Sequence, residues 1–140
     1  MAALTSARVS TTRLGDASVI DILKLPVKAN TKIYAGSLVV IDAGYAAPGR
    51  TATGLIAVGC AQKTVDNTGG AAGALVIEVR RGTFKWLNSA GGDLIAQAEV
   101  GTMAYIVDDQ TVAKVATGRS AAGRILQVDA DGVFVESIGF

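Results

Sequence analysis

Apolar and polar residues alternate in short segments along the chain from residue 19 onward. In "ALVIEVRRG" (74–82), Glu78 and Arg80 alternate with valine and isoleucine, which predicts a strand with one polar and one apolar face. Glycine, asparagine, aspartate and proline separate such segments, as is typical of an all-β chain. The predicted strands are 19–25, 37–43, 54–61, 74–82, 83–88, 103–109, 112–116, 124–130 and 133–138.

This pattern predicts a compact β-barrel or β-sandwich of about eight to ten short strands. The strand 83–88 is expected either to stand alone or to continue 74–82 past a bend or bulge at Gly82. The segment 93–101 fits a short helix that begins at Asp93, and it fits a strand or turn equally well. The sequence has no internal repeat of the kind that predicts a solenoid.

Three turns are predicted from local residues. Residues 108–111 should join two strands, and the pair Asp131-Gly132 should join two more, because Asp-Gly favours a tight hairpin. In "KIYAGSLVVIDAGYAAPG" (32–49), a strand should turn at residues 42–44 and return. In this segment we expect surface or interface positions at Lys32, Asp42 and Tyr45. The candidate core positions are Ile33, Tyr34, Leu38 and Val40.

The first 18 residues differ from the rest of the chain. They are rich in serine, threonine, alanine and arginine and sustain neither a helical nor a strand period. Their composition fits an extended arm that a neighbour holds in place, and it fits a disordered terminus equally well. A length of 140 residues without an internal linker predicts one β domain at 19–140, preceded by the segment 1–18.

Composition narrows the classes of function. Hydrophobic residues make up 50% of the chain and charged residues 18%, below the roughly 25% of an average domain. This surplus favours burial of apolar surface against other chains over a compact alanine-rich monomer. A formal net charge of +1 argues against a general nucleic-acid binder, and no apolar run reaches the length of a membrane-spanning helix.

Few residue types that carry out catalysis are present. The sequence has no histidine and one cysteine, Cys60, so the commonest general base is missing and one chain cannot build a thiolate metal site. Cys60 lies in an apolar run, where we expect a buried and inert thiol. Asp108 and Asp109 are adjacent and would point to opposite faces of a strand, which suits acid–base work poorly. We therefore predict no catalytic residue, no cofactor and no metal site.

Three local patterns allow a functional interpretation beside a structural one. The segment "DADG" (129–132) resembles the start of a calcium loop, but later ligand positions fall on apolar residues, so we expect a turn. The segment "NTGGAAG" (67–73) lacks the lysine of a phosphate loop, so we expect a flexible hairpin loop.

The third pattern, "RRGTFKW" (80–86), mixes basic and aromatic residues, as proteins that bind single-stranded nucleic acid do. In a chain of nearly neutral charge, this mixture favours a protein contact instead. Alternation would place Arg81, Thr83, Lys85 and Leu87 on one face and Arg80, Gly82, Phe84 and Trp86 on the other. The candidate subunit-interface residues are Arg81, Phe84, Lys85 and Trp86.

The succession of "LKLPVKANTKIYAGSLVVIDAGYAAPG", "TGLIAVGCA" and "ALVIEVRRGTFKW" resembles the small head decoration, or capsid cement, proteins of tailed bacteriophages. The two late hairpin segments also fit, so the resemblance covers residues 20–138. It implies a compact, tulip-like all-β fold, an N-terminal arm that reaches over neighbours, and homotrimers.

The resemblance also implies a structural function. Such trimers bind the major capsid protein on the outer surface of the virion, after synthesis in the host cytoplasm, and strengthen the contacts between capsomers. No nucleic acid or membrane partner is implied. The candidate capsid contacts in the arm are Thr5, Arg8, Thr11, Thr12 and Arg13.

An alternative from another class is a β-sandwich on the virion that binds glycans of the host surface. Such a module needs exposed aromatic side chains beside polar ones. The candidate aromatic residues are Tyr34, Tyr45, Trp86 and Tyr105.

Overall fold

The computed structural model describes residues 21–137, where the chain forms twelve strands and two short 3-10 turns. The predicted all-β class is confirmed, and ten of the strands have three or more residues. The predicted arm, 1–18, lies outside the described residues. The strands are β1 Asp21–Pro26, β2 Lys32–Ile33, β3 Leu38–Asp42, β4 Tyr45–Pro48, β5 Ile56–Ala61, β6 Val65–Asp66, β7 Val76–Arg81, β8 Thr83–Asn88, β9 Met103–Ile106, β10 Thr111–Ala113, β11 Ala121–Asp129 and β12 Gly132–Glu136.

Five strands form an antiparallel sheet in the order β1-β7-β5-β3-β4. Its two ends approach each other, because Val27, just after β1, makes a parallel bridge to Ala46 in β4. The sheet therefore curls around its own apolar interior. The two-stranded sheet β2-β6 adds Ile33 and Val65 to that interior. The buried residues of this first core are Val27, Ile33, Val39, Ala46, Val58, Ala61, Ile77 and Val79.

The other five strands close into a small barrel in the order β10-β8-β12-β11-β9. Its pairs are antiparallel except β10 with β8, which run parallel. The strand β11 carries two register shifts, and Gly123 lies at one of them with φ of +152°. A Cβ atom at Gly123 would lie 2.0 Å from the carbonyl oxygen of Glu136, so close pairing with β12 requires glycine there.

The barrel packs on the outer face of the curled sheet. Successive residues of β3 are buried on both faces: Val39 points into the first core, whereas Leu38 and Val40 belong to the core of the barrel. Full burial of an isoleucine such as Ile106 contributes about 1.5–3 kcal/mol to folding. The buried residues of this second core are Leu38, Val40, Ala47, Leu55, Ala57, Trp86, Ile95, Ala104, Ile106, Val112, Ala122, Ile125, Val133 and Val135.

Buried Ser120 joins the two layers through its hydroxyl group. Its Oγ accepts a hydrogen bond from the buried backbone N–H of Leu55 at 3.0 Å and donates one to the carbonyl of Ala52 at 2.7 Å. The backbone carbonyl of Ser120 also accepts from Ile106 in β9 at 2.9 Å. Because buried polar groups require partners, this side chain holds the loop before β5 against the barrel.

The three predicted turns are confirmed. Residues 107–110 join β9 to β10, and the pairing of Asp129 with Gly132 leaves a two-residue turn between β11 and β12. The third turn joins β3 to β4 through Ala43 and Gly44, which both have positive φ. This is the backbone signature of a type I′ hairpin turn.

Two other local predictions are confirmed only in part. In the segment 93–101 the turn alternative is confirmed, and the helix and strand alternatives are not, because its regular parts are the 3-10 turns Gly91–Asp93 and Gln97–Glu99. The loop 67–73 does not close a hairpin, because it leads from β6 in one sheet to β7 in another. The buried side chain of Asn67 donates to the carbonyls of Lys28 and Ala71, each at 3.0 Å, which holds this loop in place.

The bend predicted at Gly82 proves to be a change of sheet. The strand β7 belongs to the curled sheet, and β8, which begins one residue after Gly82, belongs to the barrel. Cys60 in β5 is half-buried rather than fully buried, and desolvation raises the pKa of its thiol. A raised pKa keeps the thiol protonated near neutral pH, which agrees with the predicted inert role.

Candidate functional site

The strand β8 carries most of the residues predicted for an interface. Thr83, Lys85 and Leu87 are exposed, whereas Phe84 and Trp86 turn inward. The predicted alternation along β8 is therefore confirmed. Trp86 is only 7% exposed and packs in the barrel core, with its ring centroid 6.0 Å from that of Phe84.

The four predicted interface residues are thus divided by the fold. Lys85 faces outward, and Arg81 is half-buried at the end of β7. The indole of Trp86 stabilises the core of its own chain, so it offers little surface to a neighbour. Contact of Arg81, Phe84 and Lys85 with another subunit stays a prediction.

Lys85 lies in a cluster of charged and aromatic side chains on the outside of the barrel. Its ammonium group forms a salt bridge with Asp131, lies 3.7 Å from Asp129, and is 5.4 Å from the centroid of the Phe134 ring. The hydrogen bond from Lys85 lowers the pKa of Asp131, and the same bond raises the pKa of Lys85. The segment "DADG" is therefore a hairpin turn, as predicted, and its two carboxylates lie beside the ammonium group of Lys85.

Beside this cluster lies a groove with a volume of about 610 Å³, which we call the barrel groove. Leu87 and Leu94 remain 48% and 45% exposed there. The carboxylates of Asp129 and Asp131, both close to the ammonium group of Lys85, also line the groove. The lining residues that matter are Leu87, Leu94, Ile95, Val128, Asp129 and Asp131.

Two polar interactions hold the segment of the barrel groove that contains Leu94 and Ile95. The side-chain amide of Asn88 bonds the backbone of Ile95 twice, donating to its carbonyl at 2.8 Å and accepting from its N–H at 3.0 Å. Arg119 forms a bidentate pair with Asp93 at 2.9 and 3.0 Å, which lowers the pKa of that carboxyl group. The segment that presents Leu94 is therefore fixed on both sides.

A pocket with a volume of about 380 Å³ lies where the curled sheet meets the barrel, and we call it the junction pocket. One wall is the turn between β2 and β3, and the other is the turn between β9 and β10. The lining residues are Tyr34, Ala35, Gly36, Ser37, Asp109 and Gln110.

Of the four aromatic residues considered for glycan binding, only Tyr34 is well exposed. It is 57% exposed, against 7% for Trp86, and Tyr45 and Tyr105 are half-buried. The expectation that Tyr34 competes for the core is wrong, because β2 ends at Ile33 and the chain turns outward after it.

At the hairpin tip between β3 and β4, the carboxylate of Asp42 forms salt bridges with two basic side chains. Lys28 Nζ lies 2.7 Å and Arg50 Nη2 3.0 Å from Asp42 Oδ2. The hydrogen bond from Lys28, followed by that from Arg50, lowers the pKa of Asp42. Asp42 is half-buried, so this cluster fastens the hairpin to two loops of the curled sheet.

Within the range 21–137, no group of three or more cysteine, aspartate or glutamate side chains is placed to hold a metal ion. No helix in the same range is long and apolar enough to cross a membrane. The candidate arm contacts Thr5, Arg8, Thr11, Thr12 and Arg13 lie outside the described residues.

Neither concave surface was predicted from the sequence. Asn88, Leu94 and Gln110 carry no sequence signal of a binding site, and the residues that line each surface come from distant parts of the chain. Comparisons of this chain with protein-family models, curated proteins and solved structures found no match. Membership of the head decoration proteins therefore stays a prediction from the sequence.

Proposed function

We propose that this protein is a structural component of a tailed-phage virion, a trimeric decoration protein on the outer surface of the head. It binds the major capsid protein and stabilises contacts between capsomers. The observation that supports this proposal most directly is the barrel groove, where two leucines remain half-exposed on a firmly held surface. Such a surface gains free energy when another protein covers it.

The groove alone contributes a modest part of an interface. Covering the exposed halves of Leu87 and Leu94 stabilises association by about 1 kcal/mol each. Stable interfaces bury about 1,200–2,000 Å² in total, so the surrounding polar surface of β8, including Lys85, must be covered as well. The contact of Arg81, Phe84 and Lys85 with a neighbouring subunit is part of this proposal.

Binding to the shell gains from three linked copies. Each contact with the capsid can be weak, since trivalent attachment raises the overall affinity by factors of about 10² to 10⁴. The proposed contacts of the arm are Arg8 and Arg13 with acidic or carbonyl-rich capsid surface, and backbone pairing of the Ser/Thr-rich stretch with a neighbouring strand. The proposal assigns no catalytic step, no cofactor, and no nucleic acid or membrane partner.

The oligomeric state tests the first half of the proposal. We expect size-exclusion chromatography with light scattering to give a trimer for the full chain and a monomer for Leu87→Glu. The matched control is Val76→Glu, because Val76 is a similarly exposed strand residue in the other sheet. A monomeric parent protein at high concentration would contradict the proposal, and a trimer that only Val76→Glu disrupts would remove the groove from it.

Sedimentation with purified phage heads tests the second half. We expect the full chain to sediment with expanded heads, and deletion of residues 2–15 to weaken this binding while the far-ultraviolet circular dichroism stays unchanged. Binding that is equal with and without residues 2–15 would exclude the arm. A trimer that binds no head from any tailed phage of the same host would contradict the decoration role.

A further inference from the structure

The junction pocket brings together two turns that are more than 70 residues apart in the chain. Tyr34 and Ser37 lie on the turn before β3, whereas Asp109 and Gln110 lie on the turn before β10. Pockets at the boundary of two packed units are a common location for small-molecule sites, and about 380 Å³ lies within their usual size range.

Backbone hydrogen bonds hold the first wall in place. Ser37 N–H donates to the carbonyl of Tyr34 at 3.1 Å, and Gly36 N–H donates to the carbonyl of Ala61 in β5 at 2.9 Å. Gly36 has φ of +87°, the conformation that a type II turn requires at its third residue. Ala35 N–H donates to the hydroxyl of Thr64 at 2.9 Å, so Ala35 and Gly36 both tie this turn to other parts of the fold.

The second wall is held in the same way. Leu38 N–H donates to the carbonyl of Asp109 at 2.7 Å, and Leu87 N–H donates to the carbonyl of Gln110 at 2.8 Å. The carboxylate of Asp108 accepts from Gln110 N–H at 2.9 Å. Both walls are thus formed before any ligand arrives, which lowers the entropy cost of binding.

The side chains of the pocket combine an aromatic ring with hydrogen-bonding groups. Tyr34 is 57% exposed, and the ammonium group of Lys32, which does not line the pocket, lies 4.7 Å from the ring centroid. The buried hydroxyl of Ser37 donates one long hydrogen bond of 3.3 Å to Asp109 Oδ2. An ionised carboxylate has about four acceptor positions, so Asp109 can accept further hydrogen bonds from a ligand.

We propose that the junction pocket binds a neutral pyranose sugar. The apolar face of the sugar ring stacks on Tyr34, while its hydroxyl groups donate to Asp109 and exchange hydrogen bonds with the amide of Gln110. The carboxylate of Asp109 repels acidic sugars, which selects neutral ones. This inference goes beyond the decoration role and does not depend on it, because it concerns a different surface from the barrel groove.

The test is a binding measurement on the full chain with glucose, galactose, mannose and N-acetylglucosamine, and with N-acetylneuraminic acid as the acidic comparison. Saturation-transfer NMR detects contact, and titration gives Kd, which we expect on the order of millimolar for one sugar ring. Tyr34→Ala and Asp109→Asn should each raise Kd about tenfold or more, whereas Tyr34→Phe should retain binding.

The matched control for charge is Glu136→Gln. Glu136 is exposed and pairs with Thr83 at the start of β8. The junction pocket lies near the other end of β8, where Leu87 N–H bonds the carbonyl of Gln110. The Glu136→Gln variant should therefore bind sugar as the parent protein does. Thermal unfolding by circular dichroism confirms that each variant folds. The proposal is overturned by absence of binding for every neutral sugar tested, by preference for the acidic sugar, or by binding that neither Tyr34→Ala nor Asp109→Asn weakens.

Discussion

Replacing Ser120 with alanine tests how the two β layers are held together. The substitution removes a buried hydroxyl that accepts from Leu55 N–H at 3.0 Å and donates to the carbonyl of Ala52 at 2.7 Å. The buried N–H then has no partner, which costs about 1–3 kcal/mol, and the lost bond to the carbonyl costs about 0.5–1.5 kcal/mol. We expect a loss of about 2–4 kcal/mol in the free energy of unfolding.

Urea denaturation followed by tryptophan fluorescence measures this loss, since Trp86 reports on the barrel core. The melting temperature should fall by roughly 10 °C. The control is Ser89→Ala, because the hydroxyl of Ser89 only donates to the carbonyl of Val112 at 2.9 Å and leaves no N–H without a partner. If Ser120→Ala costs no more than Ser89→Ala, the reasoning from the unpaired N–H is refuted.

Three further substitutions test other features of the fold. Gly123→Ala should lower the free energy of unfolding by about 3 kcal/mol or more, because the new Cβ meets a backbone carbonyl of β12. The control is Gly92→Ala, which should be nearly neutral in the same urea titration because a Cβ there meets nothing within 4 Å. Ala43→Asn should stabilise by about 0.5–1 kcal/mol, because Ala43 has φ of +49° in a type I′ turn, and an unchanged or lowered urea midpoint would contradict this. Asp42→Asn should destabilise at about pH 7, and the loss should shrink as the pH is lowered below 3.8 toward about pH 2. Because folding lowers the pKa of Asp42, its ion pairs stabilise the fold above the ordinary value of 3.8, and this stabilisation disappears as the pH falls through the folded pKa. A loss in the free energy of unfolding that is the same at about pH 7 and at about pH 2 would contradict this prediction.

The sequence was most informative where structure depends on neighbouring residues. The hairpins after β3, β9 and β11 were predicted from turn residues and from the alternation that flanks them. The inward position of Phe84 and Trp86 also followed from alternation along one strand. These features require only that residues close in the chain adopt compatible backbone conformations.

Predictions failed where the outcome depended on distant residues. The sequence left open whether residues 74–82 and 83–88 form two strands or one strand past a bend, and the fold places them in different sheets on either side of Gly82. The glycine-rich loop 67–73 looked flexible, but buried Asn67 ties it to the backbone of Lys28. Alternation predicted that Trp86 points away from Lys85, but it did not predict that the barrel of the same chain, rather than a neighbouring subunit, covers its indole.

The all-β class and the positions of most strands and turns follow from the amino-acid order alone, because a two-residue period and turn residues are local signals. The three-dimensional fold sets which strands pair, since pairing depends on contacts between residues far apart in the chain. It therefore also decided that Leu87 and Leu94 share one groove, and that Tyr34 lies beside Asp109. An alternating pattern shows that one face of a strand is buried, but not what covers it.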